Sequence, residues 1–171
     1  IEWMGRLARR TGRPLTFSLV QTHTELDRYR ELLEQSAKLR ASGVPIYPQV
    51  ANRPTGILIG LQSDEHTFST RPSWGELARL PLAERVRRLR DPALRARLLA
   101  EAPGPWSHPL SAVVHQGFAN LLPLGERFDL EPRPEDTVAA RALREGRRPE
   151  EVVYDLLLES DGRSFLLFPF T

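Results

Sequence analysis

The amino-acid sequence predicts an α/β fold, and two features of its first 50 residues lead to this class. A strand-like run at 15–20 is followed by a helical pattern and then by a second strand-like run that starts at Val44. Strand, helix and strand in about 30 residues is the size of a right-handed βαβ unit, in which the strands are parallel. Neither run alternates cleanly between apolar and polar residues. We therefore expect both strands to be buried on both faces, as in a barrel or a doubly wound sheet.

A helix is predicted before the first strand. Trp3, Leu7 and Ala8 have helical spacing, Gly12 is suited to end this helix in a left-handed turn, and Pro14 prevents its continuation.

A second helix is predicted between the two strands. Thr24, with Asp27 three residues later, forms a cap at its start, and Gly43 ends it. Its predicted apolar stripe consists of Leu26, Tyr29, Leu33 and Ala37.

Residues 54–125 are rich in proline and predict short helices and loops that elaborate the scaffold. Ser73 and Glu76 predict a capping box, and Asp91 predicts the start of a helix at 93–100. Six arginines fall mostly opposite the leucines of this region: Arg85, Arg87, Arg88, Arg90, Arg95 and Arg97. We interpret them as a solvated or acid-paired helix face, and a nucleic-acid surface is the alternative.

The pattern becomes regular again in residues 126–171. Pro134 opens a predicted helix that Gly146 stops, and Pro149 opens another that continues through Leu158. Asp161-Gly162 indicates a turn before a final strand at 164–170. The sequence thus predicts one incomplete domain with segments 1–53, 54–125 and 126–171.

Composition narrows the class of protein. The 171 residues are 40% hydrophobic and 27% charged, which is typical of a globular domain. Absence of cysteine excludes disulfides and thiol chemistry and is compatible with the cytoplasm, where we expect the protein. No membrane span or signal peptide is predicted. The 24 basic residues are balanced by 22 acidic ones, so we expect no nucleic-acid partner.

Candidate binding residues follow the two predicted strands. His23 comes just after the first strand, and Gln49, Asn52 and Arg53 follow the second, where parallel strands collect functional groups. His23 is also compatible with an exposed residue at the start of a helix. Arg53 has a planar fork suited to a carboxylate. Asn52 before Arg53 and Pro54 is also compatible with a simple turn.

The remaining histidines, His66, His108 and His115, are interpreted as loop or partly buried polar residues. No histidine has the spacing of a His-x-His or His-Glu-x-x-His ligand pair. The sequence therefore predicts no metal-binding and no catalytic residue in this chain.

Ordered sequence words extend over most of the chain, from about residue 12 to 170. They start with Gly12-Arg13-Pro14-Leu15-Thr16-Phe17-Ser18-Leu19, Pro48-Gln49-Val50-Ala51-Asn52-Arg53-Pro54-Thr55-Gly56 and Gly60-Leu61. Later words are Arg71-Pro72-Ser73-Trp74, Leu80-Pro81-Leu82-Ala83-Glu84-Arg85, Leu89-Arg90-Asp91-Pro92 with Arg95, Glu131-Pro132 and Val153-Tyr154-Asp155-Leu156-Leu157-Leu158. In this order they resemble the N-acyl-D-amino-acid deacylase branch of the amidohydrolase superfamily.

The resemblance implies a TIM-like (β/α)8 barrel with 54–125 as a mostly helical, lid-like insertion and with the final barrel strand in 126–171. It also implies zinc, which activates water for attack on an amide C–N bond of a small molecule. The family's metal ligands are a His-x-His pair and an aspartate, and neither is in this chain. Typical members end a strand in Ser-His where this chain has Val20-Gln21, and Gln21 and Gln49 are poor zinc ligands.

We therefore expect an internal segment of a metal-dependent amidohydrolase that is inactive alone and binds no zinc by itself. Its expected substrate-binding residues are Gln21, His23, Gln49, Asn52 and Arg53. The alternative is a non-catalytic α/β interaction module with an arginine-rich helical surface. Unpaired edges of an incomplete barrel also predict self-association, as a homo-oligomer, or marginal stability.

Overall fold

A computed structural model describes residues 1–21, 25–52, 55–105, 109–125, 129 and 131–169. These residues form a mixed α/β structure with seven α-helices and two small sheets. The chain divides into two compact units, Ile1–Gly56 and Ile57–Pro169, which we call unit 1 and unit 2. The sequence predicted three segments, 1–53, 54–125 and 126–171. The structure differs from this division, because most of the second segment and the described part of the third belong to one unit, unit 2.

Unit 1 contains the predicted βαβ arrangement. Its elements are α1 (Glu2–Thr11), β1 (Leu15–Ser18), α2 (Arg28–Ala41) and β2 (Ile46–Gln49). The two strands are parallel, in a register that runs from Leu15 opposite Ile46 to Ser18 opposite Gln49. The parallel βαβ prediction is confirmed.

The core of unit 1 is small, and both helices contribute to it. Ala8, Val44 and Ile46 are buried, and Met4, Leu15, Phe17 and Leu39 pack against them. A Cβ atom on Gly5 of α1 would lie 2.9 Å from a methyl carbon of Leu39 of α2, so this glycine permits the close approach of the helices. Gly12 ends α1 with φ of 63°, as predicted.

The predicted face of α2 is wrong. Leu26 and Leu33 are 59% and 42% exposed, whereas the contacting face consists of buried Ser36 with half-buried Leu32 and Leu39. Apolar residues occur on two sides of this helix, and the side with Leu32 and Leu39, not the predicted side, covers the sheet. The helix begins after Asp27 without a side-chain cap, and Thr24 lies outside the described residues.

The β1–β2 sheet is covered on one face. Exposure alternates along both strands, with Ile46 buried and Thr16, Ser18, Tyr47 and Gln49 exposed. The expectation that both faces are buried is therefore wrong, because among the residues that the structure describes only the helical layer covers the sheet.

Unit 2 has a different sheet. Its strands are β3 (Gly56–Gly60), β4 (Leu122–Leu124) and β5 (Phe165–Pro169), and their order in the sheet is β3-β5-β4. The first residue of β3, Gly56, is assigned to unit 1, and the rest of this strand belongs to unit 2. β4 and β5 are antiparallel. The predicted final strand is present, and the parts of the chain that the structure describes contain no closed barrel.

The helices of unit 2 follow several sequence signals. They are α3 (Leu82–Leu89), α4 (Pro92–Ala100), α5 (Pro109–Gln116), α6 (Val138–Glu145) and α7 (Pro149–Gly162), with 3-10 helices at Pro72–Glu76 and Pro134–Asp136. Asp91 caps α4 by accepting a hydrogen bond of 2.8 Å from the Ala93 amide, as predicted. Gly146 ends α6 with φ of 62°, as predicted.

Two predicted caps are wrong in detail. Ser73 lies inside a 3-10 helix, and its backbone N–H and hydroxyl donate to Glu101 instead of joining a capping box with Glu76. The helix expected from Pro134 is split, since Thr137 ends the 3-10 turn and caps α6 through the Ala140 amide. The first difference comes from a side-chain partner 28 residues away, and the second from a local threonine cap that replaces the proline start.

The predicted turn is confirmed at the C-terminal end of α7. Helical geometry ends at Leu158, and Ser160, Asp161 and Gly162 have φ of 51°, 53° and 76°. A Cβ atom on Gly162 would lie 2.5 Å from a methyl carbon of Val86, so only glycine fits this position.

Candidate functional site

Three of the five predicted site residues lie at one end of the β1–β2 sheet. The strands are parallel, and the Leu19 amide donates to the Gln49 carbonyl at 2.8 Å beyond the paired residues. Gln21 and Asn52 follow the two strands at this end, and all three polar side chains are exposed. His23 and Arg53 lie outside the described residues.

Gln21 has a structural contact. Its side-chain Nε2 donates to the Leu26 carbonyl at 3.2 Å and so links the strand end to the segment that precedes α2. Gln49 and Asn52 are the more accessible groups for a ligand.

Sequence reasoning missed Ser18. This residue stands opposite Gln49 in the register, and both side chains belong to the exposed face. A hydroxyl beside a carboxamide offers hydrogen-bond donors and acceptors without a charge. The alternation of Leu15, Thr16, Phe17 and Ser18 could have indicated this face. Such a surface is able to bind an amide or a carboxylate.

Zinc does not fit the described residues. No group of three or more histidine, cysteine, aspartate or glutamate side chains among them is arranged to hold a metal ion. Gln21 and Gln49 offer weak neutral oxygen ligands in place of imidazole.

A second polar cluster is buried in unit 2, between α5 and the loop that connects β3 to the first 3-10 helix. His66 is fully buried, and His115 is 4% exposed. The interpretation of these histidines as loop or partly buried residues underestimated their burial, and His108 lies outside the described residues.

Three hydrogen bonds join α5 to this loop. Ser111 Oγ donates to Glu65 Oε2 at 2.6 Å, and Thr67 Oγ1 donates to the Val114 carbonyl at 3.4 Å. His115 Nδ1 lies 3.0 Å from the Thr67 carbonyl. Because a carbonyl only accepts, His115 carries its proton on Nδ1.

His66 has the opposite tautomer. Its Nδ1 accepts a hydrogen bond of 3.2 Å from the Phe68 amide, so a neutral His66 carries its proton on Nε2. Its ring stands edge-on to Trp74, with centroids 4.1 Å apart. Burial, with smaller effects from the positive charges of His115 and Arg85, lowers the pKa of His66 to about 3. Burial is also the main cause that lowers the pKa of His115, against the opposing effects of Thr67 and Glu65.

This cluster lacks the arrangement of a nucleophilic site. Ser111 is bonded to a carboxylate and His115 to a backbone carbonyl, so neither activates the other. His66 is neutral at ordinary pH, which suits a structural role.

Two arginines stabilise the surrounding loops. Arg85 donates to the backbone carbonyls of four residues, Leu61, Leu77, Ala78 and Leu80. Arg71 donates to the Leu98 carbonyl, and its guanidinium carbon lies 5.0 Å from the Phe68 ring centroid. Both arginines donate hydrogen bonds to backbone carbonyls in loops and at helix ends, where helical partners are lacking or incomplete.

The predicted acid-paired face is confirmed for four arginines. Arg87 and Arg88 contact Glu84 at 2.6 Å and 3.1 Å. Arg90 pairs with Asp161 and Arg95 with Asp155. Arg97 lines an open groove of about 300 Å³ that also contains Glu76 and Asp91, so the groove has mixed charge.

Comparisons with known proteins give no relative: no protein-family model, no curated protein and no solved structure matches this chain significantly. Among the helices that the structure describes, none combines the length and the apolar character that a membrane span requires.

Proposed function

We propose that this chain is a segment of a metal-dependent amidohydrolase of the N-acyl-D-amino-acid deacylase type, which hydrolyses an amide C–N bond. The observation that carries the proposal is the parallel β1–α2–β2 unit of unit 1, whose open face and strand ends bear uncharged hydrogen-bonding side chains. The ordered sequence words supply the family.

Placement of the helices supports a barrel segment. Met4 and Ala8 of α1 and Leu39 of α2 pack on the same core cluster as Leu15 and Ile46 of the sheet. Both helices thus cover one face, and the other face carries Thr16, Ser18, Tyr47 and Gln49. A (β/α) barrel has its helices outside and its functional groups at the carboxyl ends of the strands.

Exposed apolar side chains on the helices give further support. Gly5 and Leu39 identify the sides on which α1 and α2 face each other. At about 100° per residue, Trp3 and Leu7 point away from the facing side of α1, and Leu33 points away from that of α2. These three residues are 56%, 40% and 42% exposed. A barrel helix contacts a neighbour on each side, so further βα units would cover both outer flanks.

The proposed role of this segment is substrate binding. Gln49 and Asn52 would hydrogen-bond the amide substrate, Gln21 would hold the loop before α2, and His23 and Arg53 belong to the same proposed set. Zinc would be held by other residues of the parent protein. No catalytic residue is assigned to the described part of the chain.

Metal analysis and an activity assay test this proposal. The purified chain is expected to contain no stoichiometric zinc and to show no turnover of N-acetyl-D-amino acids. An open reading frame that continues upstream into a His-x-His and downstream into an aspartate-bearing strand is also expected. Stoichiometric zinc with turnover would show that the chain has a complete site and contradict the segment proposal.

Ligand titration tests the binding residues separately. An N-acetyl-D-amino acid is expected to shift the side-chain amide NMR signals of Gln49 and Asn52, while those of Gln116 in unit 2 stay unchanged. Uniform shifts, or none at saturating ligand, would contradict the assignment of these residues.

The rival function, an interaction module with an arginine-rich surface, has weaker support. Four of its arginines already contact carboxylates, and Arg85 is used on backbone carbonyls. Nucleic-acid binding with a steep salt dependence would favour it over the hydrolase segment.

A further inference from the structure

Charge is distributed unevenly between the two units. Unit 1 has nine basic and five acidic residues, whereas unit 2 has 15 basic and 17 acidic ones. Most of the excess in unit 1 belongs to residues 1–13, which contain four arginines, Arg6, Arg9, Arg10 and Arg13, and one acidic residue, Glu2. The basic character of unit 1 is therefore concentrated in and just after α1.

The carboxylates of unit 1 do not neutralise these four arginines. In the described part of the chain, ten other arginines form ion pairs, and none of the four does. Three of the four acidic residues in or just before α2 pair with basic residues of the same segment. Arg9 donates to the Ser42 hydroxyl at 3.1 Å. Arg6 and Arg10 therefore keep guanidiniums that are available to a partner.

Arg6 and Arg10 share the outward face of α1 with Trp3 and Leu7. Gly5 faces α2 and serves as the reference direction. At about 100° per residue, Arg6 and Arg10 lie about 100° and 140° round the helix from Gly5, beside Trp3 at about 160° and Leu7 at about 200°. All four side chains are exposed. We call Trp3, Arg6, Leu7 and Arg10 the basic face of α1.

The stability of α1 explains only part of this face. Arg10 is in the last turn, where a cation interacts favourably with the free carbonyls of the helix end. Arg6 lies in the middle of the helix, beyond the reach of this effect. Trp3 and Leu7 are exposed and contribute little to the core of unit 1. The composition of the basic face is therefore suited to an external partner.

A partner of the basic face must offer apolar side chains beside carboxylates. A second copy of the same face would place guanidinium against guanidinium, and like charges disfavour such a symmetric contact. An anionic membrane offers the right charge, but two apolar side chains of a ten-residue helix bury little area in a bilayer. A helix with an apolar stripe and glutamate or aspartate beside it complements both kinds of side chain.

We propose that the basic face of α1 packs against an acidic amphipathic helix, which is the neighbouring helix of the same parent protein. This inference rests on the proposed function, in which a further βα unit covers the outer flank of α1. It adds that this neighbour carries carboxylates opposite Arg6 and Arg10. A neutral or basic helix at the same place would leave two guanidiniums unpaired in the contact, so the charges select the correct neighbour.

Titration with synthetic helical peptides tests the charge preference. The acidic peptide has a leucine stripe with a row of glutamates beside it, and the control peptide has lysines in place of the glutamates. The acidic peptide is expected to shift the indole NMR signal of Trp3 in the intact chain and to leave that of Trp74, which is buried in unit 2, unchanged. Raising NaCl from about 0.05 to 0.5 M should weaken binding, because salt screens exposed charges. Equal binding of both peptides would overturn the proposal.

Charge reversal identifies the residues. Arg6→Glu with Arg10→Glu is expected to weaken binding of the acidic peptide by about tenfold or more and to favour the lysine peptide, because two exposed attractions become repulsions. Arg79→Glu with Arg163→Glu makes the same change of charge at exposed positions of unit 2 and is expected to alter the affinity by less than about twofold. Equal losses in the two double variants would mean that net charge alone attracts the peptide, and the basic face would have no special role.

Two further measurements address the other occupants. Vesicles of phosphatidylcholine with phosphatidylserine are expected to leave the Trp3 signal unchanged, and sedimentation velocity is expected to show the same self-association for Trp3→Gln as for the unsubstituted chain. Vesicle binding through Trp3 would assign the face to a membrane. Loss of self-association in Trp3→Gln would assign it to a second copy. Either result would contradict the proposal of a neighbouring helix.

The parent reading frame tests the source of the helix. The next helix upstream of α1 is expected to combine an apolar stripe with an excess of glutamate and aspartate. A frame that contains the His-x-His pair but has a neutral or basic helix at this position would overturn this inference and leave the hydrolase proposal intact. A frame without the His-x-His pair would contradict the hydrolase proposal and, with it, the source named here.

Discussion

The two units of the chain differ in how they bury apolar surface. Among the described residues, unit 1 contributes four buried hydrophobic side chains, Ala8, Leu19, Val44 and Ile46, and unit 2 contributes 21. Seven of the nine exposed large hydrophobic side chains are in unit 1: Trp3, Leu7, Val20, Leu26, Leu33, Tyr47 and Val50. Unit 2 therefore has its own core, whereas unit 1 has surfaces suited to additional partners.

This difference has a physical reason in the sheets. A parallel two-stranded sheet with helices on one face leaves the other face and both strand edges uncovered. The antiparallel β4–β5 pair belongs to a sheet that alternates buried residues, such as Leu166 and Phe168, with half-buried ones. Stability is thus expected to be concentrated in unit 2.

The largest expected effect is from Phe168→Ala. Phe168 of β5 is 1% exposed, and loss of a buried phenylalanine costs roughly 3–5 kcal/mol of unfolding free energy. Phe17→Ala in unit 1 removes a half-buried ring and should cost less than half as much. Urea denaturation of both variants measures the comparison. Equal losses would show that unit 1 is packed as tightly as unit 2.

Removal of Arg85 is expected to have the next largest effect. Arg85→Met leaves four backbone carbonyls of unit 2 without their donor and should cost roughly 2–4 kcal/mol. Arg10→Met on exposed α1 is the control and should change stability by less than about 0.5 kcal/mol. Thermal unfolding of the two proteins gives the difference, and similar values would contradict a structural role of Arg85.

A matched tyrosine pair probes a single hydrogen bond. Tyr154 OH donates to the Leu89 carbonyl at 2.7 Å inside unit 2, so Tyr154→Phe should cost about 1–2 kcal/mol. Tyr47→Phe alters an exposed ring of unit 1, and no measurable change is expected. Chemical denaturation compares the two, and a larger loss for Tyr47→Phe would reverse the comparison.

The smallest stability effect is expected from two exposed leucines, Leu26 just before α2 and Leu33 on its outer flank. Leu26→Gln with Leu33→Gln should change stability by less than about 0.5 kcal/mol per substitution but should reduce self-association. Leu143→Gln, at an 84% exposed position of unit 2, is the control. Sedimentation velocity measures association. Equal behaviour of both variants would mean that the flank has no special tendency to associate.

Sequence signals with local causes were predicted correctly. Gly12 and Gly146 end helices because left-handed backbone suits glycine, and Asp91 caps α4 through an amide two residues away. The parallel βαβ unit follows from the length of the segment between the strands. In each case the chemistry lies within a few residues of the signal.

Signals that depend on distant partners were missed. Ser73 bonds Glu101 across 28 residues, and His115 reaches the Thr67 carbonyl across 48, so no local pattern specifies either contact. Periodicity identified α2 as a helix but not which of its two apolar faces meets the sheet. For the candidate site, the alternation of apolar and polar residues from Leu15 to Ser18 would have placed Ser18 on the face of Gln49.

The turn at the C-terminal end of α7 has a consequence for chirality. Ser160 has a backbone conformation that disfavours an L-residue by about 1–2 kcal/mol, and for its mirror image the preference is reversed. A chain made by chemical ligation with D-serine at position 160 is therefore expected to melt at a higher temperature than the all-L protein. At this point of the molecule, the handedness of the amino acid limits stability more than the identity of its side chain.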